Sequence, residues 1–180
     1  MTDLSSFSSV AAAAQEAEQP KKAQLPSPAA MLDEGDFLNV IRLTPLVSID
    51  LIVTDGNRRV LLGQRRNRPA QDSWFVPGGR VRKGETLDTA FTRVVRDELG
   101  IASVQRSSSR LFGVFEHYYD DNFAGVPDIA THYVALAYSI TLSGSVPIGR
   151  FDQHSGYAWL LPTEVLSRDD VHPNAKAYFR

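Results

Sequence analysis

Between residues 78 and 101 the chain reads GGRVRKGETLDTAFTRVVRDELGI, and its charged residues stand where they could do chemistry. The paired glycines Gly78 and Gly79 let the backbone turn sharply and come close to a ligand. Arg80 follows at once, and its forked guanidinium suits two-point contact with a phosphate. Glu85 precedes a helical stretch, with Arg93, Asp97 and Glu98 late in it. Glu98 falls four residues after Val94 and three after Val95, on or beside the apolar stripe of that helix. A carboxylate there needs a partner, because burying an unpaired charge is costly. A hard cation such as Mg²⁺, which prefers carboxylate, carbonyl and phosphate oxygens, is one such partner. Arg93 and Asp97, at i and i+4, suit an ordinary surface pair. Taken singly, each of these residues fits the solvated face of an amphipathic helix. Taken together, their spacing asks for more.

The elements that must hold these residues follow from pattern. The β-branched, apolar run 46–53 (LVSIDLIV) predicts a strand. Asp55-Gly56-Asn57 is a turn, and residues 59–65 return as the second strand of a hairpin. Residues 67–72 form a loop, and 74–76 a short extended piece stopped by Pro77-Gly78-Gly79. Thr86 is a good N-cap, and Leu87, Ala90, Phe91, Val94, Val95 and Leu99 recur at helical spacing until Gly100 ends the helix. Residues 111–119 and 129–142 read as long strands around a polar loop containing Asp120-Asp121-Asn122. A short strand over 157–160 and short helices over 162–167 and 173–179 complete the chain. Strands dominate around one strong helix, which predicts an α+β fold, a mixed α/β/α sandwich.

The 180 residues, 43% of them hydrophobic, suffice for one domain with a sizeable core. Residues 1–32, rich in Ala, Ser, Gln and Pro, are expected to be a flexible tail with a helical fragment at 10–18, leaving 33–180 as the folded domain. The net charge of −2 offers no basic surplus for nucleic acid or an anionic membrane, yet leaves room for a small anionic ligand held by local arginines. There are no cysteines, which excludes disulfides and Cys-rich zinc sites. No apolar run approaches the roughly 20 residues of a membrane span. The N-terminus, MTDLSSFSSVAAAA, lacks the basic region of a secretory signal, so a cytoplasmic protein is expected.

The segment 79–101 resembles the Nudix box: Gly, five residues, Glu, seven residues, then Arg-Glu-apolar-any-Glu-Glu-any-Gly-apolar. Gly79, Glu85, Arg93, Val95, Glu98, Gly100 and Ile101 match in type and spacing. The resemblance implies the Nudix fold, a mixed β-sheet between helices with the box as a loop–helix–loop. It also implies a metal-dependent hydrolase of a nucleoside diphosphate linked to another group. Val94 replaces the Glu after the Arg, and Asp97 the first Glu of the pair, so Glu98 is the one unaltered late carboxylate. This reduced box implies one metal per site.

Over roughly residues 36–179 the chain is similar to the GDP-mannose mannosyl hydrolase subgroup, through stretches such as TPLVSIDLIV, GQRRNRPAQDSWFVPGGRV, FGVFEHYYDDNFAG, ATHYV, DQH and VHPNAKAYF. That subgroup has a reduced box as well. The resemblance implies attack of water at the anomeric carbon of GDP-mannose or GDP-glucose, releasing sugar and GDP with inversion. Mg²⁺, with Mn²⁺ as a substitute, and arginines would make the diphosphate a good leaving group, while a base activates water on the far face. His154, in a polar loop before the 157–160 strand, is the expected base, since its ordinary pKa lies near neutrality. By resemblance Gln153, Glu98 and the backbone carbonyl of Gly78 supply oxygens to the metal. Read from residues alone, Gln153-His154 is simply a solvated loop.

Arg65 and Arg80 are the expected diphosphate ligands, with Arg66 and Arg68 as surface residues. Asp50, inside an apolar strand, binds sugar hydroxyls as the resemblance suggests, or forms a structural salt bridge. His117 contacts the sugar, or is a strand residue with a satisfied hydrogen bond. Tyr133 by resemblance faces the diphosphate or reacting centre, and otherwise is a core aromatic; its neighbour His132 faces the other side. Arg93, Trp74 and His172 are read as structural. Two other functions stay open: a Nudix pyrophosphatase cleaving a P–O bond, and a non-catalytic nucleotide-sugar binding module. The subgroup implies a homodimer, to which residues 36–44 could contribute. The residues themselves do not fix the base or the sugar.

Overall fold

The computed structural model describes residues 32–142 and 154–180. Residues 1–31 of the expected tail and the expected metal ligand Gln153 lie outside them. The first element is a helix the pattern did not predict, α1 (Glu34–Leu43), capped by Asp33, whose Oδ1 accepts from the Asp36 amide at 2.8 Å. Then come β1 (Leu46–Thr54) and β2 (Val60–Arg65), joined at the turn expected around Asp55, whose carboxylate accepts from the amides of Asn57 and Arg59. The short strand β3 (Trp74–Phe75) follows.

The short piece does stop before Pro77-Gly78-Gly79, but Gly78–Arg80 then forms an unexpected strand, β4, antiparallel to β1 with Asp50 opposite Gly78 and Ser48 opposite Arg80. The glycines are there because β-carbons have no room: one at Gly78 would lie 2.8 Å from Asp50 Oδ1, and one at Gly79 3.1 Å from Val94. The box helix α2 (Leu87–Leu99) is bounded as expected, by a Thr86 hydroxyl accepting from the Thr89 amide and by Gly100 at φ 72°.

Strands β5 (Arg110–Tyr119), β6 (Thr131–Thr141) and β7 (His154–Leu160) and helices α3 (Pro162–Ser167) and α4 (Pro173–Lys176) follow, ending in a 3-10 turn over Ala177–Phe179. The sheet runs β3-β2-β1-β6-β5, with β4 on β1 and β7 on β2. β1 and β6 are parallel and the other pairings antiparallel, so the sheet is mixed, as expected.

Side chains alternate across β1. Ile49, Leu51 and Val53 pack with Phe91, Val94, Val95 and Leu99 of α2. Ile52 faces the other way, into a second core with Val165, Val171, Ala175 and Tyr178 of the C-terminal segment. Burial on both faces explains why β1 reads as a continuous apolar run, and why Asp50 within it is only 5% exposed. Among the described residues no helix is long and apolar enough to cross a membrane.

Candidate active site

The box loop is tied to its helix by one arginine. Arg93 Nε and Nη2 donate to the two carboxylate oxygens of Glu85 at 2.6 and 2.8 Å, and Nη2 also donates to the Arg80 carbonyl at 2.8 Å. Glu85 Oε2 accepts from the Arg82 amide as well. The Arg93 hydrogen bonds hold the Glu85 carboxyl below its usual range. The expected Arg93–Asp97 pair exists at 3.9 Å, but it is the longer contact, and Asp97 lies 3.0 Å from Arg96.

Glu98, next along α2, turns inward and is 3% exposed. Its Oε2 lies 3.6 Å from His154 Nδ1, and Tyr157 brings its hydroxyl to 3.2 Å from the same nitrogen. His154 is not in a solvated loop. It begins β7, opposite Arg65, and is buried because its ring lies against Gly63, where a β-carbon would overlap the imidazole. Burial, and then the charge of Arg65, push its pKa down to about 4. At neutral pH it is uncharged, but burial corrects the expectation of a pKa near neutrality and makes it a weaker base than a free imidazole.

Asp50, Arg65, Gly78, Arg80, His117 and Tyr133 line a single cavity of about 150 Å³. Glu98 and His154 are not in its lining; Arg65, which is, pairs with His154 across β2 and β7. Among the described residues Asp50 forms no salt bridge with an arginine or lysine. Tyr178 donates to its Oδ2 at 2.6 Å and Ser48 to its Oδ1 at 3.0 Å, while His117 Nδ1 stands 3.9 Å away. Burial raises the Asp50 pKa.

His117 is 2% exposed among the rings of Phe75, Phe115, Tyr119 and Tyr178, and burial takes its pKa to about 4. Among the described residues its buried Nε2 has no hydrogen-bond partner, which corrects the reading of a satisfied strand histidine. Burial also raises the Tyr133 pKa, so its phenol remains a donor at neutral pH. His132, on the opposite face as expected, stacks on Tyr118 at 4.4 Å. His172 caps α4, accepting from the Asn174 amide. Trp74 packs on the second core, and Arg68 pairs with Asp121 at the surface.

Ser48, Tyr119 and Tyr178 were missed. Tyr178 lies 128 residues from Asp50, and no local pattern joins them. Only the i, i+2 spacing of Ser48 and Asp50 in one strand carried a signal.

A mixed sheet between helices, carrying a loop–helix–loop stitched by an arginine and a glutamate, is the Nudix arrangement. Residues 44–180 match the family model described as NUDIX domain, and the chain belongs to that family. The Low-salt glycan biosynthesis protein Agl8 of Haloferax volcanii is 41% identical over 119 residues, 66% of this chain and 73% of that protein. An ADP-ribose pyrophosphatase of Methanocaldococcus jannaschii is 36% identical over 73 residues, 41% of each chain. In fold, the chain is similar to the crystal structure of the MutT protein from Methanosarcina mazei Go1, with a TM-score of 0.60 at 19% identity over 76% of this chain and 92% of that one.

Proposed function

We propose that this protein hydrolyses a nucleotide sugar, GDP-mannose or GDP-glucose, at the anomeric carbon, giving GDP and free sugar. The observation that carries this reading is the state of the box carboxylates. Both oxygens of Glu85 are taken up by Arg93, and Asp97 lies against Arg96 and Arg93. Glu98 is the box carboxylate that turns into the protein beside His154. The glycan-biosynthesis name of the 41% identical relative fits a sugar-bearing substrate.

The donor chemistry fits one divalent cation. Among the described residues no three His, Asp or Glu side chains cluster as a metal site. Mg²⁺ commonly takes only one or two carboxylates and fills its shell with waters and substrate phosphates. Glu98 and the Gly78 carbonyl would hold it, together with Gln153. When bound, it would neutralise the diphosphate and improve the leaving group.

The chain's own residues supply the rest. Arg65 and Arg80 bind the diphosphate from the cavity wall and stabilise the charge that grows on it. Asp50, fixed by Tyr178 and Ser48, accepts from sugar hydroxyls; the Nε2 of His117 and the phenol of Tyr133 orient the sugar. A bond forms from water oxygen to the anomeric carbon as the bond from that carbon to the diphosphate oxygen breaks. The electron pair leaves with the diphosphate, and the water's proton passes to uncharged His154.

Incubation with GDP-mannose and Mg²⁺, with products separated chromatographically, tests the reading. GDP and a reducing sugar are expected. GMP and a sugar phosphate would overturn it in favour of phosphorus chemistry, the reading that the 36% identical pyrophosphatase favours. Light scattering tests the homodimer that belongs to the same proposal.

A further inference from the structure

We propose that Phe37, on α1, is a positioning residue for Arg80, holding its guanidinium ready for the diphosphate by stacking under it, with Phe123 as its backing. This rests on the reading of Arg80 as a diphosphate ligand. The guanidinium carbon of Arg80 lies 3.9 Å from the centroid of the Phe37 ring. Arg93, 13 residues further on in the same box, is satisfied by Glu85; Arg80 forms no ion pair among the described residues. A ring against the flat face of a guanidinium attracts the cation and leaves its in-plane N–H donors free for a ligand. An ion pair would instead occupy those donors.

Phe37 is itself held. Ile41, one turn further along α1 on the same face, is buried and anchors the helix. The Phe37 and Phe123 centroids are 4.9 Å apart. Phe123 sits in a loop organised by the fully buried Asn122, whose Nδ2 donates to the carbonyls of Val126 and Ile129 and whose Oδ1 accepts from the amides of Ala124 and Val126. Helix α1 and this loop therefore act on the cavity through Arg80, without either of them lining it next to Arg80.

Calorimetric titration of the full chain with inorganic pyrophosphate, alongside thermal unfolding, tests this without relying on turnover. Phe37→Leu is expected to weaken pyrophosphate binding about three- to tenfold, Phe37→Trp to retain it, and Phe37→Leu to add nothing once Arg80→Ala is present. Phe37→Met serves if the leucine variant unfolds. Wild-type binding by Phe37→Leu while Arg80→Ala binds weakly would overturn the positioning role alone, as would equal weakening with and without Arg80. Unchanged binding by Arg80→Ala would overturn the ligand reading and this inference with it.

Discussion

Arg93 Nε lies 2.6 Å from Glu85 Oε1, across eight residues of sequence, and this contact closes the box loop onto its helix. The side chains are 14% and 9% exposed, so the pair is largely out of water. Glu85→Gln leaves the Arg93 charge poorly compensated and loosens the Arg80 carbonyl that Arg93 also holds. A loss of about 3 kcal/mol in urea unfolding is expected, with reduced turnover. Wild-type stability would mean that other contacts shape the loop.

Gly63 and His154 are fitted to one another. Gly63→Ala is expected to destabilise the fold by about 1–3 kcal/mol, and by much less in a His154→Ala background, where the methyl has room. His154→Ala by itself should lower kcat about a hundredfold or more while leaving GDP binding largely intact. Unchanged turnover would remove His154 as the base.

His117 makes stability depend on acid. Its folded pKa of about 4 lies below the ordinary value of 6.5, so the unfolded chain takes up the proton first. Its contribution is complete above pH 6.5 and is lost as pH falls towards 4, on the order of 3 kcal/mol in full. The raised pKa of Asp50 works in the opposite sense, so the comparison needs a variant. His117→Phe should flatten the fall in urea-unfolding stability between pH 6.5 and 4. A parallel curve would place the acid sensitivity elsewhere.

What the sequence made legible were features set by local rules. Thr86 and Gly100 bounded the box helix, and the alternation and turn chemistry around Asp55 gave the first hairpin. Helix α1 was missed because its cap, Asp33, stands at the edge of a low-complexity stretch and only Ile41 of its apolar residues is fully buried. The strand character of Gly78–Arg80 comes from pairing with β1, a tertiary effect that overrides glycine's weak strand preference. The clustering of Asp50, Arg65, Arg80, His117 and Tyr133 came through resemblance, since the residues lie on five strands brought together by the sheet. The burial of His154 and the Tyr178–Asp50 bond depend on long-range packing and carried no local signal.

Glu98→Gln tests the metal reading. It should raise the Mg²⁺ concentration needed for half-maximal rate about tenfold or more and lower the rate at saturation. Normal activation by Mg²⁺ would refute Glu98 as a ligand.

The central claim is that water attacks carbon. Hydrolysis of GDP-mannose with Mg²⁺ in heavy-oxygen water, followed by mass spectrometry of both products, tests it most directly. The account predicts that the label enters mannose and leaves GDP unlabelled. Label on a phosphate of either product would contradict it.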